Sequence, residues 1–261
     1  MSCYMRVNLR FEGVAMMLKQ SFLAAVLALP VATSPVMATP PDMVEVRDVF
    51  FGAGLDEVFV LRSVADNLGS HVSSVSTVFL VAIDTTSGEE TLWPVHRSRL
   101  QPDESPDSGR KVLEILTDPL AGARNPFDIL TERQAMPSGA SAFYASPWSR
   151  PLDLSGQGTG LEDTSGNFYF LGSYQLFAGL GAAMDRLVGE MEPYGRPGVL
   201  GTGDLLGDPG FSGQDCIAED PMLIRFPADV SPIALMRVTC GDLEDGVRVS
   251  LLRVLPMVGQ P

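Results

Sequence analysis

The sequence runs to 261 residues, with 45% hydrophobic residues and a formal net charge of −14. That is enough apolar chain to bury a core in one domain, or two small ones, without relying on staples. Its negative field repels nucleic-acid phosphates and anionic lipid, which disfavours nucleic-acid binding.

The first element is a leader. Residues 22–32, FLAAVLALPVA, form an uncharged apolar run, preceded by Arg6, Arg10 and Lys19. The run is too short for a bilayer span, which needs ~20 residues. Val36-Met37-Ala38 places small residues three before and one before a cut, so the order of regions predicts a secretory signal peptide over 1–38. Met16 and Met17 stand at a typical distance ahead of the apolar run and offer a shorter start. The expected mature chain is a single secreted domain, 39–261, periplasmic or secreted, with no membrane span after cleavage. It is more acidic than the precursor, because the leader carries three bases against one acid, Glu12.

Val44, Val46 and Val49-Phe50 alternate with Glu45 and Arg47, the pattern of a half-buried strand. Val58 to Leu61 is a short apolar run that fits either a strand or a buried helix. Thr77 to Ile83 is rich in β-branched residues and reads as a strand covered on both faces. Asp84 to Glu90 is turn chemistry, and Thr91-Leu92-Trp93 returns as a strand expected to end, or to lie at an edge, at Pro94. Residues 101–109 read as a linker. Two helices are expected next, over Arg110 to Thr117 and from Pro126 onward, the second capped by Asn125.

Ala142-Phe143-Tyr144 reads as a short strand. Residues 146–166 read as a Pro/Ser/Gly-rich loop and a candidate sub-boundary. Phe168 to Leu171 resumes as strand, and Leu180 to Met191 carries apolar residues at helical spacing. A second glycine-rich loop spans 195–213, and Met222 to Ile224 is a strand. Pro232 to Thr239 and Val247 to Leu255 flank a turn and predict an antiparallel hairpin, with a bulge where the alternation slips at Leu252. Strands outnumber helices and the helices cluster. The expected fold is therefore α+β, a largely antiparallel sheet with a few short helices, long Gly/Pro-rich loops and one disulfide.

After cleavage two cysteines remain, Cys216 and Cys240, and an exported pair is expected to bridge. Closing that loop stabilises the fold by roughly 3 kcal/mol in the chain-entropy model. The bridge would gather Asp215, Glu219 and Asp220 from one side and Asp242, Glu244 and Asp245 from the other. Calcium takes six to eight oxygen ligands, so these six carboxylates form the one candidate calcium site. The competing reading is two solvated acidic turns. No other cofactor is expected.

Other chemistries lack their signatures. No G-x-S-x-G elbow is present. His71 and His96 are the only histidines, too few and too far apart for a zinc motif. A His96–Asp84 pair across a hairpin is geometrically conceivable, yet no other triad element accompanies it. Trp93 and Trp148 read as core residues. The glycines of 156–160 and 201–207 miss the nucleotide-binding spacing, and Asp204 and Asp208 would repel a phosphate. The sequence therefore points to an exported, acidic, envelope-associated binding or assembly protein with an unidentified protein or polymer partner. The alternative is a carboxylate-dependent hydrolase of an envelope glycan-type polymer, which needs two carboxylates facing across a cleft.

Overall fold

The computed structural model describes residues 42–102, 113–138, 142–145, 157–163, 165–195, 216–226, 231–241 and 246–258. All of them lie in one compact unit, Thr39–Pro261. In chain order the elements are β1 (Val44–Ala53), β2 (Glu57–Asp66), β3 (Ser74–Asp84), β4 (Glu90–Pro102), β5 (Leu113–Asp118) and α1 (Pro126–Glu132). There follow β6 (Met136–Pro137), β7 (Ala142–Ala145), β8 (Gly158–Glu162), β9 (Phe168–Gly172), α2 (Ser173–Met191) and a 3-10 turn at Glu192–Tyr194. The last strands are β10 (Cys216–Arg225), β11 (Ile233–Cys240), β12 (Val247–Leu255) and β13 (Met257–Val258).

The fold is α+β and mostly sheet. The main sheet has the order β5-β4-β3-β2-β1-β12-β11-β10-β7, with β6 appended to β1. Two antiparallel meanders, β1 to β5 and β10 to β12, meet through one parallel pairing of β1 with β12, from Val44 opposite Val247 to Arg47 opposite Ser250. A second sheet, β13-β9-β8, is small. Cys216 and Cys240 face each other in the β10–β11 register and are bridged, with their Cα atoms 4.1 Å apart. Among the described residues no helix is long and apolar enough to cross a membrane.

Side-chain parity assigns the two faces of the sheet. Val44, Val46, Val58, Val60, Val64, Phe79, Val81, Ile83, Val249 and Leu251 are buried in one cluster with α2. The helix contributes Leu176, Leu180, Ala183, Met184, Leu187, Val188 and Met191, a stripe of period 3.6. On the opposite face Phe59, Leu80 and Ala82 pack against Ile129 and Leu130 of α1. Asn125 caps α1 by accepting a hydrogen bond from Phe127 N at 3.0 Å, and Pro126 fills the first turn, where its missing N–H costs nothing.

Four expectations need correction. The segment Arg110 to Thr117 does not form a helix: its described part is strand β5, paired with β4 from Pro102 opposite Leu113 to Arg97 opposite Asp118. A run this short has little helix stability of its own, and the free edge of β4 captures it. At Pro94 the edge reading holds: β4 does not end there but continues to Pro102, and the proline lies on a free edge of the sheet. The proline is tolerated because it sits at a register shift opposite Phe79, in the half of β4 that β5 does not cover. Residues 158–162, expected as loop, form β8 against β9. No bulge interrupts β11–β12, whose register is unbroken from Ala234 opposite Leu255 to Cys240 opposite Val249. The slip at Leu252 arises because β12 is buried on both faces. Also, α2 begins at Ser173, ahead of the expected Leu180; Gly179 and Gly181 had hidden its first two turns.

Candidate functional site

Four charged side chains sit at core parity in the middle of the main sheet. Asp48 is on β1, Arg62 directly opposite on β2, Glu90 at the start of β4 and Arg253 on β12. Asp48 and Arg62 are 0% exposed, Glu90 3% and Arg253 6%. Arg62 makes a fork with each carboxylate: Nε and Nη2 donate to Asp48 Oδ1 and Oδ2 at 2.7 and 3.0 Å, and Nη1 and Nη2 donate to Glu90 Oε2 and Oε1 at 2.6 and 3.1 Å. Arg253 Nη1 adds a bond of 3.0 Å to Glu90 Oε1, and the Leu252 main-chain N–H donates to Asp48 Oδ2 at 3.1 Å. Two cations and two anions cancel. Charges taken out of water persist only with such pairing and hydrogen bonding.

The electrostatics follow from that geometry. Burial disfavours charge on Arg62, but Asp48 and Glu90 outweigh it and raise the guanidinium above its ordinary pKa. Burial would raise Glu90, yet Arg62 foremost, then Arg253 and Arg186, hold its carboxyl below the usual range. Burial lowers Arg253, partly offset by Glu90.

This cluster floors a groove of about 490 Å³, which Glu90 and Arg253 line. One wall is α2, where Gln175, Ala178, Gly179, Ala182 and Arg186 fall on a single stripe. The facing wall is the turn between β3 and β4. Asp84 Oδ1 accepts from Thr86 N, Ser87 N and Ser87 Oγ at 2.9, 2.6 and 3.0 Å, and these turn bonds, the Ser87 N–H first, lower its pKa. Gly88 closes the turn with φ +72°, a conformation that costs a side-chain-bearing residue. Leu171, Val254 and Pro256 make the end of the groove apolar. Both walls are thus built by regular hydrogen bonding before any ligand arrives.

The residues singled out from sequence fall elsewhere. Of the six calcium candidates, Asp215, Asp242, Glu244 and Asp245 lie outside the described residues. Glu219 accepts from Thr239 Oγ1 at 2.9 Å, and Asp220 lies 3.4 Å from Arg237 Nε. Both sit three or four residues along β10 from the bridge, about 10 Å away. Among the described residues no three His, Cys, Asp or Glu side chains are grouped to hold a metal. His71 and His96 are exposed. His96 pairs with Val78, six residues from Asp84 along β3, so the two are about 20 Å apart and form no dyad. Trp93 packs into the α1 cluster beneath Arg133, whose guanidinium lies 5.5 Å from the ring centroid; Trp148 lies outside the described residues.

Of the glycines of 156–160, Gly158 and Gly160 have a structural reason, and Gly156 lies outside the described residues. A Cβ at Gly160 would come 3.0 Å from the Phe168 ring, and one at Gly158 2.7 Å from the Phe170 ring. They seat two stacked phenyl rings, 6.1 Å apart, on β8. The glycines of 201–207 lie outside the described residues.

The groove and its ionic floor were missed from sequence. The signal was there as a parity violation: Asp48 continues the Val44, Val46 register, Arg62 the Val58, Val60 register and Arg253 the Val249, Leu251 register. A charge at a core position inside a strand requires a partner. Set against known protein families, curated proteins and solved structures, the chain matches none of them.

Proposed function

We propose that this protein is an exported, envelope-associated binding module that holds its ligand in the groove between α2 and the β3–β4 turn. The observation that carries this reading is the state of Glu90. The one buried carboxylate of the groove is gripped by two arginines and held ionised. A hydrolase needs a carboxylic acid whose pKa is raised, so that it can give up a proton near neutrality. Glu90 is tuned the other way. A preformed groove with rigid walls and a fixed charge floor suits recognition without turnover. The leader expected over 1–38 supports a ligand outside the cytoplasm, carried by a protein or polymer of the envelope.

The reading is tested by filling the groove. Ala182 lines it from an exposed helix position, so Ala182→Leu blocks it with little cost to the core. Ligand drawn from an envelope extract should bind the purified protein saturably and be lost in Ala182→Leu, while Glu90→Gln yields no change in any glycan turnover. Turnover that vanishes in Glu90→Gln would replace the binding reading with the hydrolase. Detection of the purified protein in the cytoplasm with residues 1–38 intact would remove the export part.

A further inference from the structure

We propose that the groove recognises an organic carboxylate attached to a compact apolar body, and that Arg253 and Arg186 hold the carboxylate. This rests on the binding reading above and names its ligand class.

Arg253 is only partly used by the protein. Its Nη1 corner donates to Glu90, whereas Nε is buried with no hydrogen-bond partner and Nη2 makes none among the described residues. A guanidinium presents five donors in a planar fork that matches a carboxylate two-to-two. A buried arginine with donors left over is costly; Nε is closed off from solvent, so Nη2 is the donor that an incoming anion would meet.

Two glycines keep the Nη2 corner approachable. Gly179 on α2 lies so close that a Cβ there would stand 2.5 Å from Nη2. Gly88 on the facing turn leaves Nη2 3.8 Å from where its Cβ would be. A side chain at Gly179 would collide with the guanidinium itself, and one at Gly88 would fill the space beside it. Their absence, with Ala178 and Ala182 continuing the stripe, leaves room for a ligand head group between helix and turn.

Arg186 supplies a second cation. It lies seven residues, two helical turns, from Gly179 on the same face, and it lines the groove. It is exposed and has no ion pair among the described residues, yet it is near enough to Glu90 to act on it electrostatically. The floor cluster pairs two cations with two anions, and the remaining charges of the lining are Arg186 and, on the turn, Glu89. Arg186 makes no ion pair among the described residues and is the cation left for a ligand; a monocarboxylate brings one negative charge near Glu89, whereas a phosphate dianion would bring two. Leu171, Val254 and Pro256, beside Arg253, offer the apolar body its contact.

The test is calorimetric titration of the purified protein with three monocarboxylates, hexanoate, 3-phenylpropionate and N-acetyl-alanyl-alanine, each against its neutral amide. Inorganic phosphate and hexylamine serve as further probes. At least one carboxylate should bind saturably, at least about five-fold more tightly than its amide, as a charge-assisted pair requires. Arg186→Ala should weaken that binding by about five-fold or more without changing the melting temperature, and Ala182→Leu should abolish it. Three results overturn the inference: no carboxylate preferred over its amide, binding indifferent to Arg186→Ala, or phosphate preferred over all three carboxylates. If hexylamine or the amides bind and Ala182→Leu blocks them, the carboxylate inference fails while the binding groove stands. If nothing binds and Glu90-dependent turnover is found, the reading beneath it fails too.

Discussion

Two arginines on opposite faces of the same sheet show how burial changes what a charge is for. Arg62 faces inward and is fully buried, with all its side-chain hydrogen bonds ending on the carboxyl groups of Asp48 and Glu90. Arg237 faces outward on β11. It donates to the Ser250 carbonyl and hydroxyl at 3.3 and 3.1 Å and to the Asp48 carbonyl at 3.0 Å. Its acid, Asp220, is 74% exposed, and at 3.4 Å from Nε it is placed for Coulombic attraction and not for an aligned hydrogen bond. The inward arginine is committed to counter-ions that have nowhere else to go. The outward one is held by neutral carbonyls, with its acid largely in water. The same residue type is a structural keystone on one face, whereas on the other its ion pair is a modest surface contact.

The largest expected effect breaks the inward side. Arg62→Met removes one cation and leaves Asp48 and Glu90 buried against Arg253 alone. Chemical denaturation should show a loss of about 3–5 kcal/mol, the range for uncompensated buried charge. A pair of helix substitutions sharpens the comparison. Gly181→Ala meets nothing within 4 Å and should gain about 0.5–1 kcal/mol from helix propensity. Gly179→Ala would run into Arg253, which Glu90 pins, so despite the same propensity gain it should lose about 1–2 kcal/mol through forced repacking. Thermal melts of the two variants should move in opposite directions. The smallest effect belongs to the outer face. Asp220→Ala should cost at most about 0.5 kcal/mol, in keeping with an exposed pair, and that cost should vanish in high salt.

Acid distinguishes the faces as well. Glu90 titrates lower in the folded chain than its ordinary value of 4.5. Between those two values the unfolded chain carries the extra proton, so stability rises with pH. The contribution is complete above 4.5 and is lost as pH falls through the folded value. Denaturation midpoints measured at falling pH should therefore decline below that point. Asp220→Ala should leave the decline intact, and Glu90→Gln should flatten it.

Much of the sheet was legible in the sequence because its signals are local. The β11–β12 hairpin, α1 with its Asn125 cap, and the cysteine pair all depend on residues near one another or on a count of two. What was not legible depends on distance. Asp48 and Leu252 are 204 residues apart, and they meet only because β1 and β12 pair in parallel at the seam of the two meanders. Strand β5 was lost because Leu113, Ile115 and Leu116 suit either periodicity, and only the edge of β4 decides between them. The slip at Leu252 is visible in the sequence, but its physical content lies one residue on. Arg253 stands where a valine or leucine would keep the pattern, and that is the residue the groove is built around.

The central claim is that Glu90 is a clamped counter-ion and not a proton donor. Carboxyl-carbon NMR titration of Glu90 in the folded protein tests it most directly. The account predicts an apparent pKa below 4.5, rising toward the ordinary value when Arg253 is replaced by glutamine. A Glu90 pKa above that value would contradict it and make this groove a candidate for acid catalysis.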